Sequence, residues 1–128
     1  MKPSFSFGKE EKLKSKKLLE QLFATSKSFT VFPIKLMYIQ VTEKLDFPIK
    51  TAVGCSSKHF KNATDRNKIK RMLREQYRLN KIALHQTINT QQKQLAIFIL
   101  YIDKIMPEKN TLPLTMPKVI NKLIKSIE

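Results

Sequence analysis

Only four arginines occur in this chain, Arg66, Arg71, Arg74 and Arg78, and all of them fall within the fourteen residues DRNKIKRMLREQYR from Asp65 to Arg78. The rest of its 25 basic residues are lysines, spread along the whole length. The two side chains do different chemistry. A guanidinium is a planar fork that holds two oxygens of one phosphate or carboxylate, or stacks on a ring while pairing, whereas an ammonium acts as a point charge. Arginines collected in one segment of a lysine-rich chain therefore point to geometric recognition of an anion at that segment.

The rest of the composition narrows the partner. A net charge of +15 and a pI near 10.1 attract polyanions at long range, which leaves nucleic acid, an anionic membrane surface or an acidic protein. Metal-assisted hydrolysis needs converging carboxylates, and the ten acidic residues are scattered. Glu10 and Glu11 lie near the start, Asp65 suits a helix cap, and Glu75 sits among cations with which it can pair. His59 and His85 are too few and too far apart for a zinc site, and both are expected to be exposed polar residues. With two glycines there is no phosphate-cradling glycine-rich loop. A lone cysteine, Cys55, reads as a small buried core residue in a reducing compartment. No apolar run approaches the roughly 20 residues of a membrane span, and MKPSFSFGKEEKLKSKK lacks the apolar core of a signal peptide, so a cytoplasmic location is expected.

The arginine segment reads as a helix. Asn62, with Asp65 three positions on, resembles a capping box, which starts the helix near Ala63. At about 100° per residue, Lys70, Arg71, Arg74, Arg78 and Lys81 fall within about 40 to 60° of one line, a stripe about 16 Å long. Ile69, Met72, Leu73, Gln76, Leu79 and Ala83 fall opposite, toward a core. Stacked cations repel one another and contribute nothing to the fold, so this face calls for an anionic partner. Structured RNA, with phosphates at defined positions, suits it best.

Other elements must position that helix. Residues 1–12 are polar, basic and expected to be mobile. Ser15 can cap an amphipathic helix carrying Leu18, Leu19, Leu22 and Phe23. VFPIKLMYIQV reads as a strand, TEKLDFP as a turn and IKTAVGCSS as a second strand, the two forming an antiparallel pair. HQTINTQQKQ has a loop-like composition. LAIFILYI is apolar throughout, and its length favours a central strand covered on both faces. After the proline-punctuated KIMPEKNTLPL, Thr115 can cap a last helix whose Met116, Val119, Ile120, Leu123, Ile124 and Ile127 form one apolar stripe. The order α, β, β, α, β, α, with room for a further short strand, predicts one α+β domain over 1–128, a sheet of about four strands with helices.

Residues Lys58 to Glu75, KHFKNATDRNKIKRMLRE, resemble the RNR signature of the bacterial ribonuclease P protein component, approximately K-K-x-G-x-A-V-x-R-N-R-x-K-R-x-L-R-E. The Ala, Arg-Asn, Lys-Arg, Leu and Arg-Glu positions coincide. His59 replaces the second lysine, Lys61 the glycine, Thr64 the valine and Lys68 the last residue of the RNR triplet, where charge is kept and the fork is lost.

The resemblance implies a fold like ribosomal protein S5 domain 2, with a left-handed βαβ crossover through the signature helix. It also implies the protein subunit of a ribonucleoprotein endonuclease. In that family a catalytic RNA uses Mg2+ to remove the 5′ leader of precursor tRNA, and the protein has no catalytic residues of its own. By position, Lys58, Arg66, Asn67, Lys68, Lys70, Arg71 and Arg74 would contact the ribonuclease P RNA, with Arg78 continuing the stripe. Arg66 lies off the stripe and could instead brace the local fold. A cleft between the first helix and the sheet would take the leader, with Phe23, Leu19, Lys35 and Met37 as candidates and Tyr38 if the strand register shifts by one. Phe23 equally suits an ordinary core position. Neither a membrane nor a further protein partner is expected. A ribosomal-RNA-binding protein of similar fold is the alternative, though ribosomal binding does not require this signature. A helix-turn-helix DNA binder lacks the necessary helix shortly before residue 63.

Overall fold

The run Leu95–Tyr101 forms the strand on which the sheet is built, with Leu95, Ala96, Ile97, Ile99 and Tyr101 all buried. In the computed structural model, which describes residues 8, 11–42, 45 and 47–128, four helices and four strands follow in chain order. They are α1 (Lys16–Thr25), β1 (Lys27–Val31), β2 (Ile34–Gln40), β3 (Ile49–Cys55), α2 (Ala63–Asn80), α3 (Ile82–Gln91), β4 (Leu95–Tyr101) and α4 (Thr111–Ile127). The sheet order is β1-β2-β4-β3. β1–β2 and β2–β4 are antiparallel, and β3–β4 is parallel. This is the expected α+β arrangement around one four-stranded sheet.

Four local expectations are corrected. The segments at Ile34–Gln40 and Ile49–Cys55 do not pair with each other, because β4 lies between them. An all-apolar strand gains most from the centre of a sheet, where both faces are covered, and β3 then reaches its other edge through the α2–α3 crossover. The expected strand over VFPIKLMYIQV turns at Phe32 and Pro33, the latter with a cis peptide bond, and the preceding Lys27–Val31 pairs back as the edge strand β1. The expected loop HQTINTQQKQ is helical as far as Gln91, within a helix that starts at Ile82: Leu84 and Ile88, four residues apart, are fully buried, and Gln92 ends the helix in the left-handed region at φ 55°. α4 starts at Thr111, four residues before the expected cap. Pro113 is its third residue, where an N–H would have no intrahelical acceptor, and the Thr115 hydroxyl donates to the Thr111 carbonyl within the helix.

Two apolar layers result. On one face of the sheet, Ile34, Leu36, Tyr38, Ile49, Ile97, Ile99 and Tyr101 pack against α2, α3 and α4. On the other, Met37, Val41 and Ala96 pack against Leu13, Leu18 and Leu22. Ser15 caps α1 as expected, its hydroxyl accepting from the Leu18 N–H at 3.3 Å.

The N-terminal segment crosses from one layer to the other around β3. Residues 1–7, 9 and 10, and residues 43, 44 and 46 of the expected turn, lie outside the described residues. Glu11 and its neighbours do not bear out the expected mobility: the Leu13 N–H donates to Thr51 O at 2.9 Å, and Lys12 bridges Thr51 in parallel. The Glu11 carboxylate is buried and pairs with the Lys81 ammonium. Lys81 is only 2% exposed, at the corner between α2 and α3, so it does not belong to the basic stripe. His85 is also largely buried rather than exposed, 3.8 Å from the same carboxylate, 3.4 Å from the Tyr77 hydroxyl and against the Phe47 ring.

Burial and the Lys81 charge hold the His85 imidazole down at about 4, with Glu11 opposing. The unfolded chain, titrating near 6.5, therefore binds the proton first, so this contribution to stability is whole above pH 6.5 and is lost as pH falls toward 4. A falling melting temperature over that interval, reduced in a His85→Phe variant, is the expected result, and a His85 NMR titration should show the low midpoint directly. Glu11→Gln, which leaves Lys81 buried without its counter-charge, should cost about 3–5 kcal/mol in urea unfolding.

Candidate nucleic-acid interface

Three buried side chains four residues apart, Ile69, Leu73 and Tyr77, set the rotation of α2 on the sheet. Tyr77 is the member that the expected core face lacks. Its hydroxyl accepts from Thr51 at 3.0 Å, and burial raises its pKa. Leu79, assigned to the core in the sequence, is 45% exposed, and Ala83 lies beyond the corner on α3 and is exposed. The helix starts as expected, with Asn62 Oδ1 accepting from the Thr64 N–H at 2.9 Å.

Opposite that buried row, Asn67, Lys68, Arg71 and Arg74 are exposed, and Lys70 and Arg78 are half-buried on its flanks. The four arginines are not equivalent. One nitrogen of the Arg66 guanidinium donates to the carbonyls of Phe60 at 2.7 Å and Lys61 at 2.8 Å, which ties the loop before the helix to its first turn. Phe60 is buried with its ring 6.1 Å from that of Tyr101, so the bracing role open in the sequence is the one Arg66 adopts. Arg78 donates twice to Glu75, at 2.6 and 3.2 Å, which lowers the carboxyl pKa and raises that of the guanidinium. Arg71 and Arg74 project outward, and among the described residues no carboxylate pairs with either. Lys58, His59 and Lys61 are exposed on the preceding loop, whose Lys58 N–H donates to Ser56 Oγ at 3.1 Å. Cys55, at the end of β3, is half-buried; burial raises its thiol pKa, and its Sγ lies 3.9 Å from the Arg66 carbonyl.

The second surface lies on the reverse of the sheet. Lys35 and Met37 face α1, as the two-residue alternation requires, and Leu19 packs against the same layer. Phe23 is 63% exposed, so it is no ordinary core residue; its ring lies 5.4 Å from that of Phe98. Tyr38 faces the opposite way, into the α4 layer beside Phe29, and borders a groove of about 870 Å3 at the end of the sheet lined also by Lys17, Lys93 and Ile127. Sequence reasoning missed Phe98 and Gly54. A Cβ at Gly54 would come within 2.9 Å of Phe98 Cζ, so the glycine makes room for this ring. The alternation of Ala96, Phe98 and Leu100 against Ile97 and Ile99 was the available signal, usable once one face had been assigned.

Among the described residues no three His, Cys, Asp or Glu side chains gather to hold a metal ion, and no helix is long and apolar enough to cross a membrane. Fold and surfaces together define an α+β protein that offers a basic, arginine-bearing helix on one face of its sheet and a partly exposed aromatic pair, Phe23 and Phe98, on the other.

Comparison with known proteins gives that class a family. The model of the family described as Ribonuclease P matches residues 7–115. Two curated proteins named "Ribonuclease P protein component", from two strains of Porphyromonas gingivalis, are each 27% identical to the chain. One covers 98% of this chain and 91% of the relative, the other 97% and 90%. A solved structure of the Staphylococcus aureus RNase P protein aligns over 91% of this chain and 94% of its own, with a TM-score of 0.47 and 16% identity. The chain belongs to the ribonuclease P protein family.

The two kinds of arginine are separable by stability. Arg66→Ala removes charged hydrogen bonds to two carbonyls and should cost about 1.5–3 kcal/mol in urea unfolding, whereas Arg71→Ala should stay within about 0.5 kcal/mol of the parent.

Proposed function

We propose that this chain is a subunit that binds the ribonuclease P RNA through α2 and the preceding loop, and the 5′ leader of precursor tRNA in the cleft beneath α1. The observation that carries this reading is the placement of the two surfaces on opposite faces of one sheet, so that both RNAs can be held at once. Arg71 and Arg74 supply the forks for phosphates, and Asn67, Lys68, Lys70 and Lys58 add hydrogen bonds and charge around them. Lys68, standing where the family signature has arginine, contributes charge without the fork. Arg66 and Arg78 act mainly by shaping this surface.

In the cleft, Phe23 and Phe98 offer faces for an unpaired base, and Lys35 offers its ammonium to the backbone beside it. Leader removal is then RNA chemistry. The RNA holds the Mg2+ ions that activate water, and the protein's part is to position the substrate and screen the phosphates brought together. This reading places the protein in the cytoplasm with the RNA and precursor tRNA as its partners.

Reconstitution tests it. With the cognate ribonuclease P RNA, the protein should raise precursor tRNA cleavage at low magnesium above that of the RNA alone, and absence of stimulation would end this reading. The double variant Arg71→Lys/Arg74→Lys, unchanged in net charge, should bind that RNA roughly tenfold more weakly, a loss of about 1.4 kcal/mol. Equal affinity would mean that charge alone is being read.

A further inference from the structure

α4 carries a second basic face, on the same side of the sheet as α2. Its buried row, Leu112, Met116, Val119, Ile120, Leu123 and Ile127, fixes its rotation. Lys118, Lys122 and Lys125, at i, i+4 and i+7, are all exposed and fall within about 60° of one line. No Asp or Glu occurs between Thr111 and Ile127 to pair with them. Like charges at these spacings disfavour a helix. Two of the three have some internal compensation: Lys125 lies in the last turn, where the helix end favours a cation, and the Lys122 ammonium sits 5.3 Å from the centre of the Phe29 ring. Lys118 has neither. The family model's match ends at residue 115, before all three lysines, although the relatives align over nearly the whole chain.

α2 and α4 pack side by side over the sheet, Met72 of α2 lying against the core that α4 completes. The exposed faces of both helices lie on this side of the sheet, Lys68 and Arg71 on α2 and Lys118, Lys122 and Lys125 on α4. Lys122 is turned toward the Phe29 ring of β1, at the opposite edge of the sheet from the β3 strand on which α2 packs. The Phe23–Phe98 pair lies behind the sheet, so an RNA held on the helical layer is distinct from a strand held at that pair.

We propose that the Lys118–Lys122–Lys125 face of α4 is a further phosphate-binding strip for the same RNA that docks on α2, widening that contact across the helical layer. The inference rests on the RNA-binding reading above and adds the site on α4. Lysine suits this role: point charges on flexible stems track a phosphate backbone without specifying it, and the forks that set register remain on α2.

Salt dependence gives the test. Substituting all three lysines with glutamine should lower the log–log salt slope of binding to ribonuclease P RNA by about 2 to 3, each lost phosphate contact accounting for roughly 0.7 to 0.9. If the parent binds and Arg71→Lys/Arg74→Lys weakens it, yet the triple variant keeps the parent slope, the α4 face is merely solvated and only the present inference falls. If the parent does not bind that RNA, the functional reading falls with it. A second measurement does not depend on the folding of the triple variant. An iron–EDTA group tethered at Asn121→Cys, in a Cys55→Ser background, should cleave the ribonuclease P RNA in the complex. Cleavage confined to precursor tRNA, or of neither RNA, overturns the proposal.

Discussion

Both surfaces depend on the burial of β4 from two sides. Because side chains alternate along a strand, Leu95, Ile97, Ile99 and Tyr101 hold the three-helix layer while Ala96 and Phe98 face α1. A slip of one residue would exchange these sets and move a phenylalanine into the helical core. The register against β2 and β3 thus fixes, at the same time, where α2 rests and where the Phe98 ring emerges beside Phe23. The helix and the cleft are two consequences of one pairing pattern.

A second constraint acts at the α2–α3 corner. Burying Lys81 would be prohibitive without a counter-charge, and Glu11, seventy residues earlier, supplies it. The segment that brings Glu11 there also runs beside Thr51 and delivers Leu13 to the layer under α1. The buried pair therefore ties the far end of the basic helix to the approach to α1. Its spacing along the chain explains why it was hidden from sequence reading: an ammonium on a basic helix looks like part of a solvated stripe, and a glutamate in a polar lead-in looks mobile.

What could be read from the sequence were the features set by local rules. Ser15 and Asn62 cap helices because their oxygens reach N–H groups two or three residues on, and the apolar stripe of α4 follows helical spacing. What escaped was decided by distant contacts. α3 has only Leu84 and Ile88 to mark it among polar neighbours, and they signal a helix only when a core stands ready to receive them. β1, mostly exposed, exists because β2 offers it an edge. The parallel β3–β4 pair could not be inferred from two neighbouring strand-like runs, which favour the hairpin instead.

The clustering of four arginines on one helix resolves into two tasks. Arg66 is turned inward, one guanidinium nitrogen donating to the carbonyls of both Phe60 and Lys61. Arg78 is paired along the helix with Glu75. Both spend part of their hydrogen-bonding capacity on the protein, leaving Arg71 and Arg74, one helical turn apart, as the outward forks. The signature residues therefore cannot be treated as a uniform set of phosphate contacts. The inward arginine holds the loop that presents Lys58 and Lys61, and the outward pair faces the partner, so a single sequence motif encodes both the surface and its support.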